Sequence, residues 1–179
     1  MSRTDALTRL GNRRKFDADL ATEIERSTRY GRPLSLIIAD VDHFKRFNDV
    51  HGHQRGDEAL AMVGTVLADE ARATDTPYRY GGEEFVVIVR EGDEESGHAM
   101  AERLRDRLEQ RLGARLPGSA LTASFGVAEF APGQGPAALI ARADAALYRA
   151  KDEGRNRVVR ASEMRPSSIS PLRPVPAAS

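Results

Sequence analysis

The sequence predicts an α+β domain: a central, mostly antiparallel sheet covered by helices, mainly on one of its sides. Three observations carry that expectation. Segments with an apolar residue every three or four positions are separated by short apolar runs; one run, Leu34 to Val41, is almost continuous; and a Gly81-Gly82 pair divides two strand-like segments. Helical segments cover far more of the chain than strand segments, which suits an antiparallel or mixed sheet rather than alternating βαβ units.

Each element follows from local chemistry. From Asn12 to Thr28, Phe16, Leu20 and Ile24 recur at four-residue spacing and form the apolar stripe of a charged helix, which Gly31 and Pro33 end. Leu34 to Val41 (LSLIIADV) reads as a strand buried on both faces. His43 to Asp49 is a short helical turn that stops at His51-Gly52-His53, and a longer helix spans about Asp57 to Ala73 on Leu60, Val63, Val66 and Leu67. Pro77 to Tyr80 and Phe85 to Val89 form a hairpin whose bend, Gly81-Gly82, is expected to use positive φ. Glu95 to Leu112 is amphipathic through Met100, Leu104, Leu108 and Leu112, Leu121 to Phe130 is a strand, and Pro136 to Asp152 is a helix. Gly154 ends that helix before a short last strand, Val158-Val159. The domain therefore occupies residues 1–160, and the remaining 161–179, with four Pro and five Ser, read as a disordered tail.

Composition narrows the function. The 179 residues carry 27 basic and 27 acidic side chains, a balance that excludes a partner chosen by bulk charge, such as nucleic acid at large. No apolar run approaches the ~18 residues of a membrane span and no secretion signal opens the chain, so a soluble, cytoplasmic protein without membrane contact is expected. With no cysteine, disulfides, thiolate zinc sites and thiol nucleophiles are excluded, and any metal must be held by oxygen or imidazole.

Asp40 ends the apolar strand, where a carboxylate is costly unless a cation meets it. Asp42 shares its face in an extended chain, and the hairpin bend adds Glu83 and Glu84, so three or four carboxylates could converge. Such hard donors suit Mg²⁺ or Mn²⁺; the competing reading is a solvated acidic turn beside one core aspartate. Arginines outnumber lysines 24 to 3, which makes Lys45 and Lys151 notable as compact charges suited to polyphosphate. Lys151 and Arg155 could equally cap a helix C-terminus. Asn48 and Asp57 bracket the His-Gly-His turn and match guanine, whose N1–H and N2–H₂ edge a carboxylate accepts in parallel; alternatively Asp57 caps the helix that follows it.

The stretch Arg79-Tyr80-Gly81-Gly82-Glu83-Glu84-Phe85 resembles the GGDEF family of diguanylate cyclases in a GGEEF form, a pentapeptide expected by chance about once in ~10⁴ such chains. The resemblance extends to Asp5-Ala6-Leu7-Thr8 with Asn12-Arg13-Arg14, to Asp40-Val41-Asp42-His43-Phe44-Lys45 with Asn48-Asp49, and to Gly52-His53 with Gly56-Asp57. It continues through Ser124-Phe125-Gly126-Val127, Ala143 to Tyr148, and Ala150-Lys151 with Gly154-Arg155-Asn156, covering about residues 4 to 160.

The resemblance implies a palm-type, ferredoxin-like nucleotidyl cyclase fold that condenses two GTP into cyclic di-GMP and two pyrophosphates. It implies that Asp40, Glu83 and the Val41 carbonyl hold Mg²⁺ or Mn²⁺, with Glu83, Glu84 and Lys45 at the reacting centre. Asn48 and Asp57 would read guanine, His53 would lie beside the nucleotide, Lys45, Lys151 and Arg155 would hold phosphates, and Gly81 and Gly82 would leave room for the substrate. Because one domain binds one GTP, catalysis would need a homodimer. Arg72-Ala73-Thr74-Asp75 resembles the family's RxxD inhibitory site for cyclic di-GMP, with Arg103 in support, where a simple surface ion pair is the alternative. A missing N-terminal regulatory domain is also expected. The competing functions are a catalytically idle cyclic di-GMP sensor and a cyclase of relaxed base choice.

Overall fold

The computed structural model describes residues 2–116 and 121–164. Its elements are β1 (Gly11–Asn12), α1 (Arg13–Tyr30), β2 (Leu34–Val41), α2 (Phe44–His51), α3 (His53–Glu70), β3 (Thr76–Arg79), β4 (Glu84–Arg90), α4 (Glu94–Arg115), β5 (Ala123–Glu129), α5 (Pro136–Asp152) and β6 (Val158–Arg160). They form an α+β fold around a six-stranded mixed sheet of order β1-β3-β4-β2-β5-β6. The central strands β3, β4, β2 and β5 pair antiparallel, whereas β1 and β6 join the edges in parallel.

Strand β2 lies at the centre, which explains its continuous apolar run. Ile37, Ala39 and Val41 face one side with Phe85, Val87, Phe125 and Val127, and are covered by α2, α3 and α4 through Phe44, Leu60, Val63, Leu67 and Leu104. Leu36 and Ile38 face the other side with Val86, Ile88 and Ala128, covered by α1 through Phe16, Leu20 and Ile24 and by α5 through Leu139, Ala143 and Leu147. The sheet is therefore covered on both faces, not mainly on one: the stripe on α1 and the Ala-rich face of α5 pack against the face opposite α3 and α4. Gly126 in β5 makes the second layer possible, because a Cβ there would strike the backbone of Ala143 and Leu147 in α5.

Local signals explain most boundaries. Asn12 caps α1 by accepting from the Lys15 N–H at 3.1 Å, and Gly31 ends it at φ 63°. Asp93 caps α4 through the Ser96 N–H at 2.8 Å. Helix α3 starts at His53 rather than near Asp57, directly after Gly52 at φ 84°. Asp57 consequently sits a turn inside the helix and does not cap it. Beyond Arg160, Ala161–Glu163 form a 3₁₀ turn, and Ala161 packs against the α1/α5 core. The rest of the expected tail, 165–179, lies outside the described residues.

Candidate active site

The C-terminal end of β2 and the β3–β4 bend meet at the candidate site. Asp40 stands opposite Glu84 in the β2–β4 register and opposite Ser124 in β5. The Val41 N–H donates to the Glu83 carbonyl at 3.2 Å, stitching the strand end to the bend. In the bend itself the Glu84 carbonyl accepts from the N–H groups of Tyr80 and Gly81 at 2.8 and 3.2 Å. Asp40, Val41 and Glu83, expected from sequence to act together, are therefore neighbours.

Asp40 is 7% exposed, and its Oδ1 lies 3.0 Å from Lys151 Nζ at the end of α5. Burial pushes its carboxyl up to about 6; Lys151 opposes the shift, and the nearby Glu83 and Glu84 add to it. A carboxylate so short of water, with one ammonium beside it and two further carboxylates close by, is a setting for added positive charge. The Asp40 and Glu83 carboxylates and the Val41 carbonyl supply hard oxygen donors that fit Mg²⁺ or Mn²⁺. Among the described residues no three His, Asp or Glu side chains converge as a ready-made metal cage, so the expected meeting of three or four carboxylates does not form.

The reason is visible in the two remaining acids. Asp42 is 2% exposed and turned inward, where it accepts from Thr122 Oγ1 and Ser124 Oγ, both at 2.7 Å, and from the Asn156 N–H at 3.1 Å. Glu84 folds back over the bend, its Oε2 only 2.5 Å from where a Cβ on Gly81 would lie. Gly81 lets the Glu84 carboxylate lie close over the bend and Gly82 borders open space; neither uses positive φ, contrary to the turn expected from the Gly-Gly pair.

The base-reading candidates sit on α2 and α3. Asn48 in α2 lies against Gly56 of α3, where any Cβ would collide with its side-chain amide. Its Oδ1 is buried with no hydrogen-bond partner among the described residues. Asp57, the residue after Gly56, and His53 at the start of α3 are exposed. Lys45 in the first turn of α2 and Arg155 after α5 are exposed, without a recorded partner among the described residues, and Tyr148, Lys151, Asp152 and Arg155 line one open cleft.

A contact absent from the sequence reading fixes the bend. The Arg79 guanidinium donates to the Gly82 carbonyl at 2.7 and 3.2 Å and to both oxygens of Asp5 at 3.2 and 3.3 Å. Asp5 also accepts from the N–H and Oγ1 of Thr8. The segment before α1 is thereby tied to the Gly81–Glu84 bend. Arg79 stood beside the glycine pair in the sequence, but nothing local pointed to Asp5.

Away from this centre, Arg72 and Asp75 turn the chain from α3 into β3. Their side chains do not pair: Arg72 is exposed, while Asp75 is buried, with Oδ1 accepting from the Arg90 N–H at 3.2 Å and Oδ2 unpartnered. The simple ion pair considered from sequence is not what the turn makes. Arg103 in α4 is exposed and donates to the Ala99 carbonyl of its own helix at 3.3 Å.

Residues 2–157 match the family described as "Diguanylate cyclase, GGDEF domain". The diguanylate cyclase DosC of Escherichia coli is 43% identical over 156 residues, 86% of this chain and 34% of DosC. The diguanylate cyclase VdcA of Vibrio cholerae is 42% identical over 160 residues, 87% of this chain and 46% of VdcA. The crystal structure of the GGDEF domain of DgcB from Caulobacter crescentus in complex with c-di-GMP superimposes with a TM-score of 0.85 at 38% identity, covering 90% of this chain and 97% of that one. The chain belongs to the GGDEF family of diguanylate cyclase domains. It spans between a third and a half of the length of these curated relatives. Among the described residues no helix is long and apolar enough to cross a membrane.

Proposed function

We propose that this chain is a catalytic domain that condenses two GTP into cyclic di-GMP with release of two pyrophosphates. The observation that carries the reading is Asp40: a buried carboxylate paired with Lys151 and flanked by Glu83 and Glu84, at the strand end of a GGDEF fold.

Asp40, Glu83 and the Val41 carbonyl would hold Mg²⁺ or Mn²⁺, which when bound stabilises charge on the phosphates and lowers the pKa of a coordinated hydroxyl. The protein's part is positioning. Lys151, Lys45 and Arg155 supply ammonium and guanidinium donors for the triphosphate and the departing pyrophosphate. Asn48 carries an amide able both to donate to and to accept from guanine, and Asp57 offers a carboxylate one residue beyond Gly56. A site that satisfies those atoms with guanine leaves them unpaired with adenine, so base choice is built into the α2–α3 pair. The open bend at Gly82 leaves space for substrate beside Glu83 and Glu84.

Attack of one GTP's 3′-hydroxyl on the other's α-phosphate brings together two nucleotides held by two copies of the chain. Two-fold symmetry makes the two bond-forming steps equivalent. Product would be sensed at Arg72 and Asp75, supported by a guanidinium and an Asp75 Oδ2 that have no partner among the described residues, with Arg103 on the neighbouring helix. The test is incubation of the purified chain with GTP and Mg²⁺, identifying products by mass. Cyclic di-GMP is expected; cyclic di-GMP binding without any synthesis would instead make the domain a sensor.

A further inference from the structure

Three successive residues after α5 adopt left-handed backbone: Gly154 at φ 116°, Arg155 at 65° and Asn156 at 45°. Only the first is a glycine. Side chains resist this conformation, and it persists where the surroundings over-determine it. A glycine at 155 would sit there with less strain, so the arginine's presence is explained by its guanidinium rather than by its backbone.

Several bonds hold the turn, among them Gly154 N–H to the Lys151 carbonyl at 3.4 Å and Arg157 Nε to the Arg155 carbonyl at 3.2 Å, and one comes from a buried carboxylate. The Arg155 N–H closes α5 on the Ala150 carbonyl at 2.9 Å, and the next N–H, that of Asn156, donates to Asp42 Oδ2 at 3.1 Å. Thr122 Oγ1 donates to the same oxygen and Ser124 Oγ to the other, each at 2.7 Å, so both carboxylate oxygens are engaged and the group is held in orientation. A second tie, Arg105 Nη1 to Asn156 Oδ1 at 3.3 Å, grips the same residue from α4. Arg155 itself has no side-chain partner among the described residues and lines the cleft shared with Lys151, whose ammonium sits on Asp40.

We infer that Asp42 is a positioning residue: by accepting from the Asn156 N–H it holds the left-handed Gly154–Asn156 turn, so that the Arg155 guanidinium stays at the phosphate end of the site. The functional half of this inference rests on the GTP reading of that cleft; the structural half does not. Asp42 and Asp40 thus divide their work, one facing inward to the loop and the other outward to the cation.

The test compares Asp42→Asn and Asp42→Ala in the full chain. Asparagine keeps an acceptor for the Asn156 N–H without the charge, whereas alanine keeps neither. Amide hydrogen exchange at Asn156, followed by NMR with no nucleotide present, is expected to stay slow in the wild type and in Asp42→Asn and to accelerate at least ~10-fold in Asp42→Ala. With GTP, KM is expected to rise at least ~10-fold in Asp42→Ala and less than ~3-fold in Asp42→Asn. Adding Arg155→Ala to the Asp42→Ala chain should raise KM further by less than ~3-fold, because both changes remove the same interaction. Unchanged exchange in Asp42→Ala overturns the anchoring. Equal loss in both Asp42 variants, with a raised Mg²⁺ requirement, also overturns it, because the charge would then act on the metal. Should Asp42→Ala not fold, fast Asn156 exchange or impaired GTP use in Asp42→Asn overturns the inference, and retention of both supports it. A wild type that makes no cyclic di-GMP defeats the proposed function alone, since the exchange measurement needs no turnover.

Discussion

Lys151 Nζ lies 3.0 Å from Asp40 Oδ1, joining the last turn of α5 to the end of β2. The pair does not cancel the cost of burying the aspartate, whose carboxyl is pushed up to about 6 from the ordinary 3.8. The sign of the linkage follows directly. A carboxyl that binds its proton more tightly in the folded state gives its full stabilisation below pH 3.8, loses it as pH rises through about 6, and contributes no further slope above that. In the absence of divalent ions, Asp40→Asn should therefore stabilise the domain at pH 8, on the order of 1 kcal/mol, and abolish cyclisation. Thermal unfolding at pH 5 and pH 8 checks this; a less stable variant at pH 8 contradicts it. Added Mg²⁺ should raise the melting temperature of the wild type and leave that of Asp40→Asn unchanged.

The α1 face predicts acid sensitivity of the opposite sign. Burial would raise the Asp19 carboxyl, but hydrogen bonds from Lys15 and from Tyr78 Oη, at 2.5 and 2.7 Å, outweigh it and hold it below the usual carboxylate range. Stability from this group is present above pH 3.8 and falls away as pH drops through the lowered value. Asp19→Asn should cost about 1 kcal/mol at pH 7 and progressively less toward pH 3. Unfolding curves across that range test it, and a constant difference would show that the charge contributes nothing.

Gly56 gives a prediction about base recognition. A Cβ at this position collides with the Asn48 side chain, although alanine suits a helix interior better by about 1 kcal/mol. Gly56→Ala should displace the Asn48 amide, raising KM for GTP about ten-fold or more while the domain stays folded. Competition between GTP and ATP gives the same answer from another side: Asn48→Ala should narrow the discrimination against ATP by more than about ten-fold.

Arg79 bridges Asp5 and the Gly82 carbonyl. Arg79→Ala frees the bend that carries Glu83, and kcat is expected to fall about 10² or more. Arg79→Lys, with one ammonium in place of a fork, should recover only part of it. Full activity in Arg79→Ala would mean that the bend holds its shape unaided.

For product sensing, Arg72→Ala should raise the concentration of cyclic di-GMP needed for half inhibition by about ten-fold or more, because a bidentate donor is lost. Progress curves with added product read this directly, and unaltered inhibition would remove the Arg72–Asp75 turn from the account.

The elements were legible in the sequence wherever periodicity or a terminator spoke locally. LSLIIADV showed the central strand, and Phe16, Leu20 and Ile24 showed the inner face of α1. What failed depended on distance. That α1 and α5 cover the second face of the sheet is a fact of packing, not of period. Alternation puts Asp40 and Asp42 on one face of an extended chain, but cannot show that Thr122, Ser124 and Asn156 arrive to occupy the second. Gly81-Gly82 signalled a bend, but not by positive φ, which neither residue uses. The candidate residues came from the resemblance of the GGEEF stretch and its companion motifs, since residue chemistry alone left each with a second reading; the ties around them, Asp5 to Arg79 and Asp42 to Asn156, span 74 and 114 positions and leave no local trace.

The central claim is that two copies of this chain, each holding one GTP, make one cyclic di-GMP. Initial rates measured across a wide dilution series, at saturating GTP and Mg²⁺, test it most directly. The account predicts cyclic di-GMP as the product, with a rate that rises as about the square of protein concentration at high dilution and becomes linear as the dimer saturates. A rate proportional to protein at every dilution, or a product other than cyclic di-GMP, would contradict it.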